Sequence, residues 1–200
     1  MPEVVLASGS PRRKQLLEEM GFAFRVSPTD ADETLPQGAS PAKAAEELAR
    51  RKAAVAMERD RDALVITADT LVAVGGHILG KPADRREALE MLCKLRGREH
   101  EVVTGLCVAW QGVLVSAAER TLVRFDAMTD REMEEYVDTG EPFDKAGAYG
   151  IQGKAGVFIN GIDGCYFNVM GLPKAALRKL LVRAAGEAVY RELTIAPGSK

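Results

Sequence analysis

The chain has 200 residues, 46% hydrophobic and 28% charged, which suits a packed core in one sizeable domain or two tightly joined lobes and excludes a disordered chain. A formal net charge of −2 excludes a broad basic field, and with it polyanion binding as the main role, although a small anionic ligand needs only a local cluster of cations. No apolar run reaches the length of a membrane span, and Met1-Pro2-Glu3 has neither a charged leader nor a long apolar stretch behind it, so neither membrane insertion nor a signal peptide is expected.

Val4–Ser8 reads as a short buried strand, followed by a turn at Gly9-Ser10-Pro11 with Ser10 as helix cap and Pro11 at the first helical position. A helix is predicted from Pro11 to Met20, closed by Gly21, and a strand over Phe22–Ser27. Thr29–Gln37 is a polar loop, and Ser40-Pro41 opens a long alanine-rich helix through Glu58. Leu64–Val74 is strongly strand-like, and Gly75-Gly76 turns it into His77–Leu79. Asp84 caps a helix through Leu95, and Glu99–Trp110 and Val113–Phe125 form a hairpin about Gln111-Gly112. Beyond a short helix over Asp130–Val137, Glu141–Ala155 reads as a glycine-containing loop. Val157–Ile159 and Tyr166–Val169 read as short strands around Asn160-Gly161, Leu172–Ala185 as a last helix, and residues 188–200 as a loose tail. The chain is expected to form a single domain over residues 1–200. Cys93, Cys107 and Cys165 are odd in number and far apart, which fits reduced and mostly buried thiols in a cytoplasmic protein.

Five segments carry groups able to do chemistry. Ser8-Gly9-Ser10-Pro11-Arg12-Arg13 joins a strand end to a helix start, where free N–H groups attract anions. The bland alternative is a capped helix with a solvated basic turn. Cations there oppose the helix dipole, however, so something else must offset them. In Thr67-Ala68-Asp69-Thr70 a carboxylate interrupts an apolar strand; it either binds a divalent cation or accepts a proton from water, or it bonds nearby backbone. Glu33 is a candidate second oxygen ligand. Gly75, Gly80 and Lys81 mimic the spacing of a P-loop, but Pro82 stands where Ser or Thr must hold the metal, so that reading is rejected. Lys81 is then a phosphate ligand or a surface lysine. Lys52 sits in a basic helical cluster that could equally be a solvated face. Lys145–Gly153 combines small residues, which admit a close ligand, with Gln152, whose amide edge can read a base. His77 and His100 have no Ser or Cys arranged with them as a triad.

Taken together, Ser8 to Arg13, Glu33, Lys52, Ala68-Asp69-Thr70, Gly80-Lys81-Pro82, Thr104-Gly105 and Lys145 to Gly153 resemble the Maf family of nucleoside triphosphate pyrophosphatases, in family order over about residues 4–181. The resemblance implies an α/β fold with an elongated mixed sheet flanked by helices, and two lobes around a cleft, similar to inosine triphosphatases. It implies Asp69 as general base and metal ligand, Glu33 as a second acidic group at the metal, and Ser8, Arg13, Lys52 and Lys81 as groups lining the triphosphate. Lys52 and Lys81 join Asp69 as catalytic candidates. Arg12, Thr70 and Gln152 match positions tied to base selectivity, and all three follow the branch that favours dTTP and UTP, with CTP and modified pyrimidine nucleotides as further substrates to consider. The expected cofactor is Mg²⁺ or Mn²⁺, the expected state a cytoplasmic homodimer, with no stable nucleic-acid or membrane partner. The alternative is a nucleotide-sensing binding protein linked to cell-division control, which would release no pyrophosphate.

Overall fold

The computed structural model describes residues 1–194. Seven strands form one mixed sheet: β1 (Val4–Leu6), β2 (Arg25–Val26), β3 (Leu64–Val74), β4 (His77–Leu79), β5 (Glu99–Trp110), β6 (Val113–Phe125) and β7 (Ile159–Asp163). Their order is β2-β1-β3-β5-β6-β7, with β4 paired to β3. The helices flanking the sheet are α1 (Pro11–Glu19), α2 (Pro41–Arg59), α3 (Arg85–Leu95), α4 (Asp130–Val137), α5 (Tyr166–Met170) and α6 (Lys174–Thr194). Strand β1 runs parallel to both β2 and β3, whereas β3–β4 and β6–β7 are antiparallel. At the β5–β6 hairpin, Gln111 and Gly112 both take positive φ (48° and 80°), as a two-residue turn matched to strand twist requires.

The chain divides into two compact units. The first comprises Met1–Asp69, Thr104–Glu119 and the stretch from Gly171 onward. Its central packing joins α2 to the sheet through small side chains. Ala44, Ala45, Ala49, Ala53 and Ala56 are all fully buried, and Ala49 and Ala53 cluster with Cys107 of β5. A Cβ on Gly105 would run into the backbone of Ala45, so glycine is the residue that lets helix and strand touch there. Burial pushes the Cys107 thiol up to about 12, leaving it inert. Cys93, by contrast, is exposed, against the expectation of mostly buried thiols.

The second unit comprises Thr70–Val103 and Arg120–Met170. Its core gathers Leu92 and Leu95 of α3, Val102 and Val123 of the sheet, Met133 and Val137 of α4, and Phe125 with Tyr149. Three expectations change here. The Glu141–Ala155 loop is wound into 3₁₀ turns at Glu141–Asp144, Ala146–Ala148 and, overlapping its end, Lys154–Phe158. Asn160-Gly161 lies inside β7 rather than in a turn. Tyr166–Val169 is helical, although its side chains favour strands, because the buried Asn168 amide donates to Val102 O and to Thr121 Oγ1, both at 2.9 Å.

The end of the chain also departs from expectation. Residues 188–194 continue α6 beyond a break at Gly186, instead of forming a loose tail. They are held by packing within the first unit. Leu193 is buried, and the Tyr190 ring meets Phe22 (6.3 Å) and the Arg178 guanidinium (5.4 Å). The rest of that expected tail, residues 195–200, lies outside the described residues. No helix among the described residues is long and apolar enough to cross a membrane.

His100 of β5 is buried in the second unit. Its Nε2 lies 2.7 Å from the Tyr149 hydroxyl, and its ring packs edge-on to Phe125 and Tyr149. Burial pushes the imidazole from its ordinary 6.5 down to about 4. The unfolded chain takes up a proton below about pH 6.5 that the folded chain refuses until about pH 4, so this group's contribution to stability is intact above 6.5 and declines between 6.5 and 4. The thermal midpoint should therefore fall more steeply over this interval in the wild type than in His100→Gln, which does not titrate. Parallel pH profiles for the two proteins would refute the assignment.

Candidate active site

The first unit brings together six of the expected residues, Ser8, Arg12, Arg13, Glu33, Lys52 and Asp69, in two linked groups. Ser10 caps α1, its side chain accepting from Arg13 N, and Pro11 fills the first helical position. Arg13 then folds back across the helix start. Its Nε donates to Gly171 O (2.9 Å) and its Nη1 to Ser8 Oγ (3.0 Å). Burial lowers the affinity of this guanidinium for its proton, and the carboxylates of Asp69 and Glu33 act the other way. These anions offset the cation that the helix dipole disfavours. Arg12 lies half-buried in the same first turn.

The second group is an ion-paired cluster. Lys52 Nζ lies 2.5 Å from Asp69 Oδ1 and 2.7 Å from Glu33 Oε1. The Lys52 and Asp69 side chains are only 11% and 14% exposed, while Glu33 is 68% exposed. The reason for the meeting is geometric. Thr67 and Asp69 are two residues apart and share a face of β3, and Ala49 and Lys52 are three apart and share a face of α2. Thr67 Oγ1 donates to Ala49 O (2.7 Å) at a fully buried point, and the Lys52–Asp69 contact is the next rung along the same pair of elements. The hydroxyl bond contributes about 1 kcal/mol net, but removing one member of a buried ion pair costs about 3–5 kcal/mol, so the charged rung is the more demanding of the two. Arg51, the next cation on α2, is instead taken up by Glu47, Asp32 and Thr34 O, which ties the acidic loop to the helix.

Thr70, Lys81 and Gln152 fall in the second unit. Thr70 is half-buried in β3, next to Asp69 in the chain. Gly75-Gly76 forms the β3–β4 hairpin turn, as the rejection of a P-loop anticipated, and leads to Lys81, which is exposed. The segment carrying Lys81 is tied to the glycine loop: Gly147 N donates to Gly80 O (2.9 Å), and Gly147, at φ 71°, sits against Val72 with no room for a Cβ. Gln152 is exposed at the far end of that loop.

The small residues beside Gln152 have a use that the sequence concealed. A Cβ on Gly153 would strike the Glu141 carboxylate, and one on Gly150 would come within 2.7 Å of Lys145 Cε. These glycines admit the protein's own side chains. Sequence reasoning also passed over Gly171, whose carbonyl holds Arg13, and Tyr149, an aromatic residue in a run of glycine and alanine that signals a buried anchor.

Residues 3–184 match the family model described as Maf-like protein. The chain is 50% identical to the dTTP/UTP pyrophosphatase of Pelotomaculum thermopropionicum over 183 residues, covering 90% of this chain and 96% of that protein. It is 47% identical to the dTTP/UTP pyrophosphatase of Halalkalibacterium halodurans (86% and 91% covered) and 45% identical to that of Bacillus cereus (88% and 93% covered). Among solved structures, it is similar to the Staphylococcus aureus Ham1 protein with a TM-score of 0.44 and 17% identity, over 62% of this chain and 71% of the other.

Proposed function

The chain belongs to the Maf-like protein family, and from that premise we propose that it hydrolyses dTTP and UTP to the nucleoside monophosphate and pyrophosphate. The observation that carries this reading is the cluster of Lys52 between Asp69 and Glu33, one helix start away from Arg13. Pure nucleotide binding needs cations. It does not need a shielded carboxylate held beside them, whereas hydrolysis needs a group to orient water and accept its proton.

In this mechanism Asp69 orients the attacking water and takes its proton. Lys52 fixes the carboxylate by its short ion pair and, with Arg13, stabilises negative charge on the departing pyrophosphate, a role that the family resemblance also implies for Lys81. Ser8 offers a hydroxyl to the phosphates from the loop that Arg13 braces. The donor set fits a hard divalent cation, Mg²⁺ or Mn²⁺. Asp69 and Glu33 already share one cation, the Lys52 ammonium, and are the residues that would hold the metal. Among the described residues no group of three or more His, Cys, Asp or Glu is placed to hold a metal. A metal here would complete its shell from phosphate oxygens and water, a common habit of Mg²⁺. When bound, it neutralises phosphate charge and polarises the α-phosphorus. The family resemblance further supports a cytoplasmic homodimer without nucleic-acid or membrane partners.

The decisive experiment is hydrolysis of dTTP or UTP in ¹⁸O-labelled water with Mg²⁺ present. Label should appear in the nucleoside monophosphate. Label found in the pyrophosphate would place the attack on the β-phosphorus and reject the reading, and the absence of any pyrophosphate would leave a binding protein in its place.

Asp69→Asn, nearly isosteric but a poor base and no longer anionic, should stay folded at a lowered thermal midpoint, because Glu33 still pairs with Lys52, and lose ~10²–10⁴-fold in kcat. Circular dichroism paired with turnover checks this: a folded variant with near wild-type turnover removes Asp69 from the chemistry.

Selectivity should follow Arg12, Thr70 and Gln152. A glutamine amide can donate to a pyrimidine carbonyl and accept from the ring N–H, a pattern that thymine and uracil share. A wrong base leaves such groups unpaired and is penalised. The ratio of kcat/KM should favour dTTP and UTP over GTP and 7-methyl-GTP, with CTP and modified pyrimidine nucleotides measured alongside. Gln152→Glu should lower turnover of dTTP and UTP more than it weakens metal binding. Preference for 7-methyl-GTP would refute the pyrimidine assignment while leaving the pyrophosphatase standing.

A further inference from the structure

Gln152 is an exposed side chain on a loop, yet base reading demands that its amide be held in place. Within the second unit, one acidic residue makes side-chain and carbonyl contacts on both sides of it, beside the backbone turn that Gly153 N closes on Gly150 O. The Glu141 carboxylate accepts from the Tyr136 hydroxyl at Oε1 (2.9 Å) and from Lys154 N at Oε2 (3.0 Å). Its own carbonyl accepts from Lys145 Nζ (2.6 Å). Its carboxylate occupies the space a Cβ on Gly153 would need, and the Lys145 stem occupies that of Gly150. Those two glycines bracket Ile151-Gln152. The donor Tyr136 belongs to α4, where it is buried, so Glu141 links the loop to a helix of the core.

From these contacts we infer that Glu141 is a positioning residue, which fixes the backbone on both sides of Gln152 and so sets base selectivity. This rests on the reading of Gln152 as the base-reading group. Glu141 touches neither phosphate chemistry nor the Lys52–Asp69 cluster in this role; it acts through the loop. An ionised carboxylate can satisfy the hydroxyl and the amide N–H at once, one on each oxygen. Glutamine at this position can keep the Lys154 N–H on its single oxygen only by turning its NH₂ to the Tyr136 hydroxyl, which must then accept instead of donate, and both charge-assisted bonds become neutral, weaker ones. A hydrogen bond to a charged group is the stronger kind, so weakening it beside the turn that Gly153 N closes on Gly150 O loosens the segment rather than the fold.

The test uses the full chain and three variants: Glu141→Gln, Gly153→Ala and the double variant Glu141→Ala/Gly153→Ala. Gly153 has φ −96°, which alanine adopts without strain, so the single alanine acts only by crowding the carboxylate. In Glu141→Gln and Gly153→Ala, KM for UTP should rise about tenfold or more, with kcat within a few-fold of wild type. Preference for UTP over CTP should shrink by a similar factor. Hydrogen exchange at the Lys154 amide should accelerate in Glu141→Gln, while the thermal midpoint stays near that of wild type. The double variant opens the space again, so its KM should lie below the product expected from independent effects.

Unchanged exchange at Lys154 in Glu141→Gln overturns the clamp, whatever the kinetics. Faster exchange with unchanged KM and unchanged preference overturns its role in selectivity. A fall in kcat with KM unmoved would show that Glu141 serves the chemistry instead, and also overturns the inference. A wild type that hydrolyses neither dTTP nor UTP rejects the functional reading and the selectivity role with it, and the exchange measurement alone then decides the clamp.

Discussion

Lys52 lies within reach of two carboxylates at once, and its ion pair with Asp69 is largely shielded from water. An ammonium and a carboxylate removed from solvent stabilise each other only where each is held at short range. The constraint falls on the scaffold. Strand β3 must deliver Asp69, helix α2 must deliver Lys52, and the loop after β2 must bring Glu33 down upon them. The Thr67–Ala49 hydrogen bond meets the first two demands by locking the register of strand and helix two residues ahead of Asp69 and three ahead of Lys52. Arg51 meets the third by drawing Asp32 and Thr34 toward α2.

The same cluster reconciles the stability of the first unit with its proposed chemistry. In the absence of substrate, the negative charge of Asp69 and Glu33 is offset in part by a side chain of the protein, the Lys52 ammonium. A triphosphate is an anion richer in charge than either carboxylate, so it competes for the same ammonium. The arrangement is thus held ready without leaving a buried charge alone, a state that would cost several kcal/mol.

The sequence made the local features legible. Strand β3, the Gln111-Gly112 turn, and the helix starts at Ser10, Ser40 and Asp84 are all fixed by residues within a few positions of each other. Charged residues stranded in apolar or cationic settings, such as Asp69 and Arg13, were visible for the same reason. The family resemblance supplied their partnership, because no local pattern says that Lys52 meets Asp69. Segments governed by distant partners were misread. Tyr166–Val169 looks like a strand until Asn168 is seen bonding two other strands, and residues 188–194 look loose until Tyr190 is seen against Phe22. Glu141 gave no signal at all, since its partners are a hydroxyl and a backbone amide, groups that nearly every segment possesses.

The alanine face of α2 and the bare Cα of Gly105 carry a consequence for how such a site can change. Helix and strand meet there with only alanine methyl groups, the Cys107 thiol and the bare Cα of Gly105 between them. The height of α2 above the sheet is therefore a minimum, reached by absence of atoms, and it can vary in only one direction. Any larger side chain on this seam lifts the helix, and Lys52 travels with it, away from a partner fixed on the strand. The seam touches no nucleotide, yet it works as a gauge block for the charges, so drift in catalytic spacing would begin at positions that look like inert filler.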